Sequence, residues 1–253
     1  MNEITRHHEI ISFVNNKGTV SVTELVAKFE VSPATIRRDI IKLNNEGKVK
    51  KVRNGIMKIE EKKAIWAPLN TNSTDNYHEK ARIAIRASKL CSSNDSVVIN
   101  CGSTAFLLGR ELCGKDISII TNYFPLACYL IENDHENVII MGGQYNKTQN
   151  IILNPISDLA NSYAGKWMFT SGWKLTPNGL YKTEILTALS EQLMLEKIDK
   201  LVVVVDSSKV SQIANSGMLF CPISKIDILI TGKNANKSVI ESIRQQGIEI
   251  ILV

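Results

Sequence analysis

The sequence predicts an α/β protein of two parts: a small N-terminal winged helix-turn-helix and a larger domain built on a doubly wound, mostly parallel sheet. Three observations predict it. The first is charge. Residues 1–63 hold 13 Lys and Arg against 8 Asp and Glu, while residues 64–253 hold 17 of each, so the whole excess of positive charge lies in the first quarter of the chain. A basic module that meets a polyanion, joined to an electrically neutral domain, is the organisation this implies. The second is a run of helix-period segments that closes on a basic hairpin within the first 60 residues. The third is the alternation, from residue 79 onward, of short apolar runs with helix-period segments, as expected of strands buried on both faces of a parallel sheet.

The N-terminal elements follow in order. Ile4 to Asn15 carries apolar residues at Ile4, Ile11 and Val14, with Ile10 and Phe13 beside them, a helical stripe. Thr19 to Phe29 opens extended and continues as a helix that Ser21 or Thr23 caps, with Leu25, Val26 and Phe29 facing inward. In Glu30-Val31-Ser32-Pro33, Ser32 suits an N-cap and Pro33 the first helical turn. The helix Ala34 to Asn45 is expected to bury Ile36, Ile40, Ile41 and Leu43, leaving Thr35, Arg37, Arg38 and Lys42 on other faces, and Gly47 ends it. KVKKVRNGIMKI then alternates basic and apolar residues around Asn54-Gly55, the strongest hairpin signal in the chain.

The second helix of a helix-turn-helix pair enters the major groove of DNA. Ser32, Thr35, Arg37 and Arg38 are therefore the candidates to reach base edges and phosphates, and the wing residues Lys50, Lys51 and Arg53 to clamp the backbone. Charges that merely solvate a small helical domain are the plain alternative. The coincidence of the charges with both a helix-turn-helix spacing and a wing favours DNA.

The domain boundaries expected are 1–60 for the DNA-binding part, 61–76 for a linker and 77–253 for the larger domain. The linker (KKAIWAPLNTNSTDN at its centre) is polar, proline-broken and without period, and its Trp66 is expected to dock on a domain or a partner subunit. Beyond it, helices are predicted over Glu79–Cys91, Thr104–Leu112, Pro125–Glu132, Glu184–Lys197 and Lys237–Gln246. Strands are predicted over Val97–Ile99, Ile117–Ile120, Val138–Met141, Trp167–Thr170, Leu201–Val205, Asp227–Thr231 and Ile248–Val253.

No apolar run approaches the roughly 20 residues that cross a bilayer, and the N-terminus lacks the apolar core of a signal peptide. The five cysteines are never paired as CxxC, and with four scattered histidines they give no metal-ligand spacing. A cytoplasmic protein with reduced thiols, no metal, no cofactor and no membrane partner is the expectation.

In a doubly wound sheet, ligands bind at the carboxyl ends of the strands. Four polar turns follow strands here: Asn100-Cys101-Gly102-Ser103-Thr104, Thr121-Asn122, Gly142-Gly143 and Asp206-Ser207-Ser208-Lys209. Gly102 permits close backbone approach, the amides of Ser103 and Thr104 open a helix whose dipole favours an anion, and Lys209 adds a point charge. Each turn alone also reads as a capped helix or a solvated loop. Their convergence on one edge favours a small anionic ligand. The turn is not a nucleotide loop, because no Lys follows Gly102 in P-loop register and the next glycine is Gly109, too far for G-x-G-x-x-G. Asp206, Glu184 and the histidines are conceivable acids or bases, but no nucleophile–base pair is evident, so no catalytic residue is assigned.

VSPATIRRDIIKL and GKVKKVRNG resemble the helix-turn-helix and wing of DeoR-type transcriptional regulators, and NCGSTAFLLG, IITNY, MGG and VDSSK resemble the C-terminal sensor of that family, which is related in fold to sugar-phosphate isomerases. The resemblance covers nearly the whole chain. It implies operator-DNA contacts from the head residues named above, and an isomerase-like, Rossmann-type effector domain that binds a phosphorylated sugar without turnover. It implies phosphate contacts from Gly102, Ser103 and Thr104, completed by Thr121, Asn122 and Lys209, with Trp167 to Gly172 and Lys182 at the sugar end. Asn100, Gly142, Gly143 and Asp206 belong to the same strand-end set. Similarity is strongest to the branch that represses L-ascorbate utilisation operons, which implies L-ascorbate 6-phosphate as effector and a homo-oligomer, dimer or tetramer. Many family members carry Asp and Thr where this chain has Asn100 and Ala105, which implies a differently tuned pocket. The rivals are an isomerase-like enzyme with a nucleic-acid-binding arm, and an activator of the same architecture.

Overall fold

The computed structural model describes residues 3–58, 75–153 and 163–253. The chain divides into two units, 1–65 and 66–253, each with its own core. Most of the segment expected as linker, Trp66 included, lies outside the described residues.

In the first unit, α1 (Glu3–Lys17), β1 (Thr19–Ser21), α2 (Val22–Phe29) and α3 (Pro33–Asn45) precede a hairpin of β2 (Lys50–Val52) and β3 (Gly55–Met57). Ser21 starts α2 through a capping box: its hydroxyl accepts from Glu24 N, and the Glu24 carboxylate accepts from Ser21 N. Ser32 starts α3 by accepting from Thr35 N at 3.1 Å, with Pro33 in the first turn. The strands form an antiparallel sheet in the order β1-β3-β2, and Asn54 takes the left-handed conformation that the tight turn requires.

The core of this unit gathers Ile10, Val14, Val20, Leu25, Phe29, Ile36, Ile40, Leu43, Val49 and Ile56. Two inward positions differ from expectation. Ile10, not Ile11, shares the buried stripe of α1 with Val14. Ile41 is 46% exposed, because Ile36, Ile40 and Leu43 already occupy the stripe of α3 and Ile41 lies about 100° around the helix from Ile40. Asp39, on the inner side of α3, accepts from Arg6 Nε (2.7 Å) and Nη2 (3.1 Å) and lies 3.0 Å from His7 Nε2, fastening α1 to α3.

The second unit contains α4 (Tyr77–Ser88), β4 (Ser96–Ile99), α5 (Ser103–Leu112), β5 (Ser118–Thr121), α6 (Phe124–Glu132), β6 (Val138–Ile140), β7 (Gln144–Asn146) and β8 (Ile151–Leu153). After these come β9 (Gly165–Thr170), β10 (Lys174–Thr176), β11 (Gly179–Lys182), α7 (Ile185–Gln192), β12 (Ile198–Val204), β13 (Met218–Pro222), β14 (Ile228–Thr231), α8 (Lys237–Arg244) and β15 (Glu249–Leu252). Seven strands form one wholly parallel sheet in the order β15-β14-β12-β9-β4-β5-β6. The chain runs outward one way from β4 to β6, then returns to the other side of β4 at β9 and runs out to β15. The order therefore reverses between β4 and β9.

Alternate residues of the strands face two cores. Val97, Ile99, Ile119, Phe169 and Val202 pack with Ile83 of α4, Leu108 of α5 and Leu126 of α6. Val98, Ile120, Met168, Leu201 and Val203 pack with Ala188 of α7 and Val239 of α8. This second face is also covered by a small antiparallel sheet, β10-β11-β13, which contributes Leu175, Leu180 and Phe220.

Neither that small sheet nor the β7–β8 hairpin was expected. Its one clear signal is Pro177-Asn178-Gly179, where Thr176 Oγ1 accepts from Asn178 N at 3.1 Å to close the β10–β11 turn. The helix expected over Glu184–Lys197 is shorter: it ends at Gln192, and the chain then turns through i→i−3 bonds (Met194 N to Glu191 O, Leu195 N to Gln192 O, Lys197 N to Met194 O) into β12, which itself begins earlier than expected, at Ile198. Other element ends differ by a few residues.

Candidate effector cleft and nucleic-acid interface

The reversal between β4 and β9 leaves a crevice at their carboxyl ends, the place where open α/β sheets bind ligands. A cleft of ≈ 230 Å³ lies there, lined by Cys101 and Gly102 after β4, Ser171, Gly172 and Trp173 after β9, Lys182, Thr183, Glu184 and Thr187 around the start of α7, and Gln149 and Lys209. Pockets for drug-sized ligands run to about 300–1,000 Å³, so the cleft suits a small metabolite. Gly102 has φ +132, and a Cβ on it would meet Ser171 Cβ at 3.3 Å, so the turn keeps both its backbone path and its opening only with glycine. No side chain caps α5, whose first residues are Ser103 and Thr104. Ser21, Ser32 and Asn236 cap α2, α3 and α8, whereas α4, α6 and α7 start uncapped as α5 does, so it is the place of α5 beside the cleft that sets it apart. An uncapped helix start leaves amides available to an anion.

Beneath the cleft lies a buried polar ring. Asn100 Nδ2 donates to Glu191 Oε2 (2.9 Å) and Thr170 Oγ1 (3.2 Å), and Cys101 N donates to Glu191 Oε1 (3.4 Å). Lys182 Nζ donates to Thr170 Oγ1 (2.8 Å), pairs with Glu191 and lies 4.3 Å above the Phe220 ring. Four separate elements meet in this ring. Glu191 escaped the sequence reading. Its signal was a carboxylate in the inward register of α7, in step with Thr187 and Ala188. Burial, reinforced by the Glu191 charge, pushes the Cys101 thiol upward, so it stays protonated.

Lys209 donates to the Gly172 carbonyl at 2.8 Å, and burial draws its ammonium below the usual lysine range despite the nearby Asp206 charge. It stands on a 3-10 turn, Ser207–Lys209, that Asp206 caps by accepting from Ser208 N at 3.2 Å. Burial works to raise the Asp206 carboxyl, but the Ser208 hydroxyl, the Lys209 and Lys80 charges and Asn76 together outweigh it and hold it below the ordinary range. The turn is fastened to the beginning of α4: Asn76 Nδ2 donates to Asp206 Oδ1 (3.0 Å), Lys80 Nζ lies 3.9 Å from Asp206, and the Glu79 carboxylate accepts from Ser207 N and, at 3.0 Å, from Ser207 Oγ.

The strand-end residues named from sequence thus separate by position. Gly102, Lys182 and Lys209 line the cleft, Ser103 and Thr104 open α5 beside it, and Asn100 lies directly below. Thr121 is committed locally, donating to Ile99 O (2.7 Å) and accepting from Tyr123 N (3.0 Å). Asn122 is buried with Oδ1 unpartnered, as are Asn100 Oδ1 and Thr104 Oγ1. Gly142 and Gly143 are exposed after β6 and do not line the cleft, and Asp206 supports Lys209 from behind. Of the Trp167–Gly172 stretch, Ser171 and Gly172 reach the cleft, whereas Trp167 Nε1 donates to Asp95 at 2.9 Å.

In the first unit, Ser32, Arg37, Arg38, Lys50, Lys51 and Arg53 are exposed and Thr35 half-buried. None of these basic residues is in an ion pair among the described residues. Arg37, Ile41, Lys51 and Asn54 share a groove between α2, α3 and the wing. Uncompensated charge on a second helix and a wing is what a duplex backbone requires.

A winged helix-turn-helix ahead of a parallel-sheet domain with a cleft at its switch point defines a ligand-responsive transcriptional regulator. The chain belongs to the DeoR family: residues 6–62 match the DeoR-like helix-turn-helix domain and residues 75–233 the DeoR C terminal sensor domain. It is 53% identical, over 100% of both chains, to proteins named HTH-type transcriptional regulator UlaR from Escherichia coli and Shigella boydii. Among solved structures, ribose 5-phosphate isomerase A from Methanocaldococcus jannaschii is 18% identical with a TM-score of 0.41, over 53% of this chain and 54% of that one. The eIF2B beta chain of Chaetomium thermophilum is 11% identical with a TM-score of 0.45, over 88% of this chain and 76% of that one.

Proposed function

We propose that the protein is a cytoplasmic repressor of an L-ascorbate utilisation operon, released from DNA when a phosphorylated sugar, L-ascorbate 6-phosphate, occupies the cleft. The observation that carries this reading is that Lys209 and Gly102, the residue that leads into the uncapped start of α5, line one cleft at the sheet's switch point, in a chain that also carries a basic winged helix-turn-helix. A phosphate is the group that both a lysine ammonium and free helix amides favour. The similarity to UlaR proteins along the full length supports the pathway.

Release follows from linkage. An effector that binds better to the DNA-free state weakens DNA binding, and DNA weakens effector binding by the same factor. Two heads on a symmetric oligomer would read a repeated operator. On this reading the sensor acts without turnover; in support, the buried carboxylate nearest the cleft, Glu191, is engaged by Lys182, Asn100 and the Cys101 amide. Calorimetric titration of the full chain with a panel of sugar phosphates, coupled to operator release, tests the reading. L-ascorbate 6-phosphate is expected to bind and to release DNA. Its binding without release, or its turnover, would count against the proposal.

A further inference from the structure

We infer that Glu191 is a specificity residue: by neutralising Lys182 within the buried ring, it restricts the cleft to ligands that carry one strongly anionic group. The inference rests on the reading of the cleft as a sugar-phosphate site.

The two lysines that line the cleft are not equivalent. The Lys182 side chain is 7% exposed and is paired with Glu191, whose side chain is 0% exposed. Lys209 donates to a carbonyl and, among the described residues, has no carboxylate in ion-pair contact. Glu191 is held in place by its other donors: Asn100 Nδ2 reaches the same oxygen, Oε2, as the lysine, and Cys101 N reaches Oε1. Separating either partner from the other would strand a charge in the interior. A ligand can therefore touch Lys182 but cannot take its charge.

The cation that remains at the cleft without a carboxylate in ion-pair contact is Lys209, with Asp206 acting on it only from a distance, together with the start of α5. That set satisfies a single phosphate. A second phosphate would meet a neutral ion pair and, at the rim, the exposed Glu184 carboxylate. Asn100 completes the arrangement, since it offers Glu191 a donor at 2.9 Å where a carboxylate would set two like charges in contact. The ring of L-ascorbate carries its own delocalised charge, so it gains less from a freed ammonium than a second phosphate does.

The test is Glu191→Gln in the full chain, titrated calorimetrically with L-ascorbate 6-phosphate and with D-fructose 1,6-bisphosphate. The quantity read is the ratio of the two affinities, which removes differences of ligand size. The unaltered chain is expected to prefer the monophosphate, and Glu191→Gln to reduce that preference about tenfold or more by freeing the Lys182 charge. An unchanged ratio in the folded variant overturns the inference. The neutral pair Lys182→Met with Glu191→Gln carries no stranded charge, and its ratio is expected to match that of the unaltered chain. A tenfold fall there also overturns the inference, and this variant decides the matter should the single one fail to fold. Where the unaltered chain favours a different sugar monophosphate, that compound becomes the reference, and only the choice of effector is wrong. Binding of no phosphorylated sugar at all removes the functional reading and this inference together.

Discussion

The two units of this chain treat charge in opposite ways. In the head, Arg37, Arg38, Lys50, Lys51 and Arg53 stand in solvent without ion-pair partners among the described residues. In the sensor, Lys182, Glu191, Lys80 and Asp206 are buried and face one another. Exposed, uncompensated charge suits a long polyanion whose counterions are released on binding. Buried, compensated charge suits a single small ligand and is little affected by salt. Among the described residues of the head, other charges are paired, at the surface in Lys17–Glu24, Lys42–Glu3 and Lys48–Glu46 and in the interior in Asp39 with Arg6 and His7, and that buried cluster joins helices rather than facing a partner.

The largest way to break the contrast lies in that buried cluster. Asp39→Ala removes the carboxylate opposite Arg6 and is expected to cost the head about 3–5 kcal/mol, the range for breaking a buried pair. Thermal melting of the head signal measures it. Burial tends to raise the Asp39 carboxyl, but hydrogen bonds from Arg6 and His7 and their charges outweigh this and hold it below its ordinary value. Its stabilisation is thus fully present above the unfolded carboxyl range and is lost as pH falls through the lower, folded value. Melting temperature followed into acid should show that loss in the unaltered chain and not in Asp39→Asn.

Lys209→Ala removes a charge-assisted contact worth about 1.5–3 kcal/mol. It is expected to weaken sugar-phosphate binding correspondingly in calorimetry while operator binding persists, giving a repressor the effector no longer releases. Arg37→Ala or Arg38→Ala should weaken operator binding by about 1–3 kcal/mol where a base is read, or lower the salt slope by about one where a phosphate is contacted. Effector affinity should not move in either, and loss of both activities in a folded variant would argue against the division of labour. The smallest effect belongs to Gly102→Ala. The left-handed backbone and the Cβ contact with Ser171 are expected to cost about 1 kcal/mol in melting, with a matching loss of effector affinity and no change at the operator.

Much of this was legible in the sequence, for reasons visible at particular residues. Ser32-Pro33 and Asn54-Gly55 encode their own backbone geometry, so the head followed from local chemistry. The central strands are continuous apolar runs, and Gly102 marked the turn between β4 and α5. The small β10-β11-β13 sheet was not legible, because β13 pairs with β11 at sequence separations of 36 to 43 residues and only the β10–β11 turn leaves a local mark. Glu191 was missed for a related reason: its role is defined by Asn100 and Lys182, which reach it from other elements. Ile41 shows the limit of periodicity, since Ile36, Asp39, Ile40 and Leu43 already make up the buried stripe of α3 and Ile41 falls beyond its edge.

The position of the switch point also bears on how the sensor comes into being. β4 borders β9 through pairs such as Val97 with Trp167, so the walls of the cleft come from opposite halves of the sensor chain. During synthesis the β4-β5-β6 half must wait, its β4 edge open, until β9 and the strands after it have emerged, and such non-local pairing closes slowly. A metabolite held between the ends of β4 and β9 bridges both halves at their seam. At a hundred times its dissociation constant such a compound would add about 2.7 kcal/mol to the stability of the pair as one cooperative body, so the proposed effector would also favour completion of the fold it acts on.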